Sequence, residues 1–195
     1  MSVRRSLLAI LDQGPCYGYQ LRTEFERRTG ATWPLNVGQI YSTLERLERD
    51  GLVVRGAPDD QGHVYWEITA AGRDDVRAWL GSPVERGQPP RDELAIKLAL
   101  AATLPGVDAG ALIRIQRAAA HARLESLRRT APAGAPDGPE ELASSLVVDS
   151  MIFAAEAELR WLDHSERRLA DRPRHRTALG LASERPRRGR PVRTP

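Results

Sequence analysis

The sequence of 195 residues has a single cysteine, Cys16. An internal disulfide is therefore excluded, and the usage fits a reducing cytoplasm. A lone cysteine reads more readily as a small buried side chain than as a reactive thiol. No run of about 18 apolar residues occurs, so no transmembrane helix and no membrane partner are expected. The opening MSVRRSLLAILDQG lacks a small-residue cleavage site and is interrupted by Asp12, Gln13 and Gly14, which argues against a signal peptide. The four histidines, His63, His121, His164 and His175, are scattered without metal-ligand spacing. GxSxG, phosphate-loop and GxGxxG motifs are absent. These absences predict a protein that is not an enzyme, with no metal and no cofactor.

Charge of one sign is also missing where it would be informative. Residues 1–81 hold ten basic and eleven acidic side chains, and residues 82–171 hold eleven and fourteen. From Arg172 onward eight arginines stand against Glu184 alone, so the net charge of +3 and the high pI belong to the C-terminal tail. A net basic surface, the usual footprint of nucleic-acid binding, is not present in the N-terminal part.

What is there is organised around Asn36 to Leu52, NVGQIYSTLERLERDGL. Asn36 suits an N-cap, with Gln39 placed to complete a capping box. Ile40, Leu44 and Leu47 recur at helical spacing, and Gly51 stands where a helix ends in the left-handed conformation. The opposite side carries Gly38, Gln39, Ser42, Glu45, Arg46 and Arg49, with Tyr41 on its flank. Small residues, an amide, a hydroxyl and guanidinium groups suit phosphates and base edges. Alone, these residues describe an ordinary amphipathic surface helix equally well.

Their position in the chain adds to this. Val3, Leu7, Ile10 and Leu11 predict a helix over 2–13, stopped by Gly14-Pro15. Tyr17, Leu21 and Phe25 predict a second, with Gly18 in its first turn signalling either a close approach of another backbone or simply the helix start. After the third helix, Leu52 to Arg55 and His63 to Thr69 are β-prone, joined by the turn-rich Gly56 to Gly62, and predict a hairpin. Thr69 then caps a fourth helix running to Leu80. Three short helices and a hairpin are the order of a winged helix-turn-helix, in which the third helix reads DNA and the hairpin is the wing.

Residues 82–91 hold a proline- and glycine-rich linker, and 92–171 is helical. Leu94, Leu98 and Ala101 mark one helix there, and Asp108 caps another reaching about Thr130. Along the last, Glu140 to Asp171, the residues Val148, Ile152, Ala155, Leu159, Leu162 and Leu169 form a heptad seam broken at Glu166. A seam of this length pairs with another helix, from its own chain or from a second copy, and a second copy is the expected partner. Residues 172–195, rich in arginine and proline, predict a disordered tail.

Three N-terminal pieces, LLAILDQGPCYGYQL, VGQIYSTLERLERDGLV and YWEITAAGR, resemble the PadR family of transcriptional regulators. The helical C-terminal region, including RDELAIKLAL, is similar to the larger members of that family. The resemblance covers residues 3–170. It implies a mainly α fold with a small β-hairpin, made of a winged helix-turn-helix DNA-binding domain (1–81) and a helical dimerisation region (92–171). It further implies a cytoplasmic homodimer that binds a pseudo-palindromic operator in double-stranded DNA and represses a nearby promoter until a signal releases it. Carried over by position, the DNA contacts fall on Tyr19, Gly38, Gln39, Tyr41, Ser42, Thr43 and Arg46. A small aromatic effector would find stacking partners in Trp33, Met151, Phe153 and Trp161, although ordinary core packing is the simpler account of each. The wing departs from the family pattern, because Asp59 and Asp60 replace basic residues and only Arg55 stands nearby. The competing reading is a winged helix that binds proteins and not DNA.

Overall fold

The structure, a computed structural model, describes residues 2–84, 91–131, 134–171 and 179. The linker at 85–90 and the tail from 172 onward, Leu179 excepted, lie outside the described residues. Seven helices and three short strands follow in order: α1 Ser2–Leu11, β1 Cys16–Tyr17, α2 Gly18–Arg28, α3 Val37–Arg49, β2 Val53–Pro58, β3 Val64–Ile68, α4 Ala70–Leu80, α5 Glu93–Thr103, α6 Ala109–Thr130 and α7 Pro139–Ala170. They form two compact units, one of Met1–Gly87 with Glu125–Ala154 and one of Gln88–Leu124 with Ala155–Pro195.

The apolar stripes read from the sequence meet in the first unit. Leu7, Leu8 and Leu11 of α1, Leu21 of α2, and Ile40, Leu44 and Leu47 of α3 are fully buried, with Val53, Trp66 and Ile68 closing the core from the sheet. At about 1.5–3 kcal/mol for each large aliphatic side chain, this burial is the main force positioning α3.

The hairpin is the larger part of a three-stranded sheet, not the whole of it. β1 pairs antiparallel with β3, Cys16 opposite Trp66 and Tyr17 opposite Tyr65, giving the order β1-β3-β2. β2 also runs farther than expected, to Pro58, through an irregularity between Arg55 and Pro58. Thr69 caps α4 through Gly72 N–H at 3.1 Å, and its own hydroxyl donates to the Gly51 carbonyl at 2.8 Å. The wing is thereby tied to the end of α3.

In the second unit, Leu98 of α5, Ile113 of α6 and Leu162 of α7 form a buried cluster, with Leu169 packed against it. Part of the stripe expected to face a second copy is thus covered within the chain. Leu162, Ala155 and Leu159 are buried, and Leu169 is partly buried against the cluster. Val148 and Ile152 are half-buried. A heptad spacing identifies an apolar stripe but does not say which surface covers it.

Candidate nucleic-acid interface

The local chemistry of α3 sets its two ends. Asn36 Oδ1 accepts from the Gly38 N–H at 2.8 Å, satisfying one of the orphan donors of the first turn. The reciprocal half of a capping box is not formed, and the Gln39 side chain is exposed. At the other end Gly51 has φ +73°. Its N–H donates to Glu48 O at 2.9 Å and that of Leu52 to Leu47 O at 2.9 Å, the Schellman pattern that ends the helix.

Between these ends, Gly38, Gln39, Tyr41, Ser42 and Arg46 are all exposed, along with Glu45 and Arg49. The Ser42 hydroxyl donates to Gln39 O at 3.0 Å, and Arg46 Nε donates to Ser42 O at 2.9 Å. That holds the Arg46 stem along the helix and leaves its terminal nitrogens for another acceptor. Thr43 does not join this face. It is 7 % exposed, and its hydroxyl donates to Gln39 O at 2.7 Å, so a base or phosphate has no access to it. Tyr19, on the first turn of α2, is 58 % exposed.

Gly18 approaches an aromatic ring and not the expected backbone. A Cβ on this buried residue would lie 2.7 Å from Tyr41 Cζ and 3.0 Å from Tyr41 Oη. Only a residue without a side chain leaves the slot in which the Tyr41 ring lies.

Ion pairing resolves the puzzle of the missing net charge. Seven of the ten arginines in residues 1–81 are in ion pairs: Arg4 with Asp50, Arg5 with Asp75, Arg22 with Glu26, Arg27 with Glu24 and Glu140, Arg28 with Glu24, Arg73 with Asp12, and Arg77 with Asp74. Among the described residues the three without a carboxylate partner are Arg46 and Arg49 on α3 and Arg55 on β2. Residues 1–81, of net charge −1, thus place the arginines that lack ion pairs, among the described residues, on α3 and the base of the wing.

The acid of the wing is also placed. Asp59 N–H donates to His63 O at 2.9 Å, and Asp59 Oδ1 accepts from Gln61 N–H at 2.9 Å and His63 N–H at 2.8 Å. These bonds, the His63 one first, hold the Asp59 carboxyl below its ordinary pKa. Its second oxygen lies 3.3 Å from His63 Nδ1, and the His63 ring stacks on Tyr17 with centroids 4.6 Å apart. Asp59 is therefore the clasp of the wing turn.

The four side chains considered for an effector are not gathered in the first unit. Trp33 and Phe153 are exposed. Two clefts there are lined by other residues: one of about 170 Å³ by Tyr17, Tyr41, Arg55, His63 and Trp66, and one of about 290 Å³ by Ile10, Phe25, Arg28 and Trp79 among others. Cys16 is buried, its thiol pushed up by desolvation and donating weakly to Gly14 O at 3.6 Å. Among the described residues no cluster of metal-ligating side chains occurs, and no helix is long and apolar enough to cross a membrane.

An exposed polar face on the third helix of a three-helix core, flanked by a β-wing, defines a winged-helix protein of the regulator class. Residues 7–78 match the model of the transcriptional regulator PadR-like family, and residues 90–170 match that of the virulence activator alpha C-terminal region. Residues 7–78 thus carry a PadR-like transcriptional regulator domain. It is similar to a probable transcriptional regulator of Mycobacterium tuberculosis, 27% identical over 184 residues that cover 84% of this chain and 95% of the relative. Its fold is similar to that of Bacillus subtilis PadR in complex with operator DNA, with a TM-score of 0.62 at 20% identity, covering 88% of this chain and 99% of that one. The same B. subtilis protein in complex with p-coumaric acid matches with a TM-score of 0.62 at 22% identity, covering 88% and 98%.

Proposed function

We propose that this protein is a cytoplasmic, non-catalytic, homodimeric repressor whose residues 1–81 read a pseudo-palindromic operator and whose residues 92–171 pair the two copies. The observation that carries the reading is the concentration of the three unpaired arginines, Arg46, Arg49 and Arg55, on α3 and the base of the wing. Gln39 and Ser42 contact base edges, Tyr41 and Tyr19 the backbone, and Arg46 a phosphate or a guanine. Two α3 helices then enter major grooves about 34–36 Å apart.

The test is a footprint on the DNA flanking its own gene, followed by titration of that fragment. Gln39→Ala and Arg46→Ala are expected to weaken operator binding by about 1–3 kcal/mol each, with Arg46→Ala also lowering the salt slope if it holds a phosphate. Unchanged affinity in both variants would discard the assignment.

For the dimer, the exposed apolar side chains of α7 replace the covered seam as the supporting feature. Leu142, Leu146 and Phe153 are at least half exposed, and Phe153 reaches 66 %. Large apolar groups left in water along one face of a helix favour a partner surface. The double substitution Leu146→Asp with Phe153→Asp is expected to yield monomers in light scattering, and a dimer that survives it would refute this placement. Release by a small aromatic effector is proposed by analogy with the B. subtilis protein bound to p-coumaric acid.

A further inference from the structure

The cleft of about 170 Å³ between α3 and the wing carries an assignment that the reading helix alone does not. Its walls are Tyr41 and Glu45 from α3, Arg55 from β2, Tyr17 from β1, and Gly62, His63, Val64 and Trp66 from the wing turn and β3. Two hydrogen-bond donors on those walls lack partners among the described residues. Arg55 is in no ion pair, and its Cζ lies 5.8 Å from the centroid of the Trp66 ring. Among the described residues the Tyr41 hydroxyl has no hydrogen-bond partner, and its ring lies over Gly18. Trp66 is only 3 % exposed, and its Nε1 is buried. The ring of His63, held by the Tyr17 stack and by Asp59, makes a rigid far wall.

We propose that this cleft seats one phosphodiester of the DNA backbone, bound by the Arg55 guanidinium and the Tyr41 hydroxyl, with the buried Trp66 ring as its apolar floor. The inference rests on the DNA-reading function above and assigns the wing a part in it. The wing grips the backbone from its base, where Arg55 stands, and not through its acidic tip. A phosphodiester matches the inventory because it carries one negative charge and presents acceptors only, while the cleft offers a cation and a neutral donor. Glu45 is the one carboxylate on the walls. It opposes the anion and places it on the Arg55 side, so the seat is weaker than its donors alone would make it. Free inorganic phosphate shares this chemistry, but it lacks the neighbouring contacts along α3 that a DNA strand makes.

The experiment measures the salt dependence of binding to random duplex DNA and to the operator fragment. Arg55→Ala is expected to weaken both by the same factor, roughly tenfold, and to reduce the slope of log K against log salt by about 0.9, the value of one lost phosphate contact. Glu45→Gln is expected to tighten binding to random duplex, a gain that misfolding cannot produce. An unchanged slope in Arg55→Ala, or no tightening in Glu45→Gln, would overturn the seat. If Gln39→Ala weakens operator binding in that same series, the reading function survives without the seat. If the unaltered protein binds no duplex at low salt, both fall together. Inorganic phosphate at millimolar concentration is expected to leave tryptophan fluorescence unchanged. Saturable phosphate binding that Arg55→Ala abolishes, with DNA affinity unmoved, would reassign the cleft to a free anion and also overturn the proposal.

Discussion

Gly18→Ala is expected to weaken operator binding roughly ten- to hundredfold while leaving the fold intact. The added Cβ would stand 2.7 Å from Tyr41 Cζ and 3.0 Å from Cε1. Both are ring atoms on the flank of α3, and the ring is 42 % exposed, so it can swing outward toward solvent. The swing displaces the hydroxyl from the position proposed for it at the DNA backbone. A hydrogen bond from a neutral donor to a charged phosphate contributes about 1.5–3 kcal/mol, which gives the stated factor. Helix propensity acts in the opposite direction, since alanine is favoured over glycine in a helix by up to about 1 kcal/mol. A loss of binding therefore cannot be credited to unravelling of α2. Tyr41→Phe should reproduce most of the effect. The two substitutions should also be far from additive, because they remove the same contact. Operator titrations of Gly18→Ala, Tyr41→Phe and the double variant decide the matter: full affinity in Gly18→Ala, or simple additivity, would refute the positioning role.

Leu44→Ala acts through stability. Leu44 is fully buried at the middle of α3, between Ile40 and Leu47 in the same core. Truncating a buried leucine removes its transfer free energy and leaves a cavity, at a cost of about 2–5 kcal/mol. Against a total stability of about 5–15 kcal/mol, that is a large fraction. Two residues before it, Ser42→Ala on the exposed face should change stability by less than about 0.5 kcal/mol. Urea unfolding and amide exchange of the α3 backbone measure the difference. If Leu44→Ala cost less than about 1 kcal/mol, α3 would not depend on the core for its position.

The helices were legible because each carries its own signals. Asn36 caps α3, Gly51 ends it, Thr69 and Asp92 cap α4 and α5, and the apolar stripes of α1 to α3 are the stripes that are buried. Strand β1 was not legible. Two residues between Pro15 and Gly18 are too few to show a period, and they become a strand only because β3 supplies hydrogen-bond partners. The turn read at Gly56 to Gly62 was too long for a related reason. Its glycine and proline invite a break, yet pairing with β3 continues to Pro58 past the irregularity. Within the candidate face the polar side of α3 was visible by counting residues. Thr43 was not separable from it, because a threonine one step from the stripe can turn either way, and here its hydroxyl closes onto Gln39 O.

By itself the sequence determined the local and periodic features: the helices and their caps, the wing turn chemistry, the polar face of α3 and the family to which its motifs belong. These follow from neighbours within about four residues, where side chains meet by helical or strand geometry alone. Only the tertiary structure decided which charges are free. Arg4 finds Asp50 across 46 positions and Arg73 finds Asp12 across 61, and neither pairing is readable from spacing. Ion pairing depends on distance in space, and the fold sets that distance. A chain segment with no net positive charge therefore turns out to present its only unpaired arginines, among the described residues of 1–81, on the reading helix and at the root of its wing.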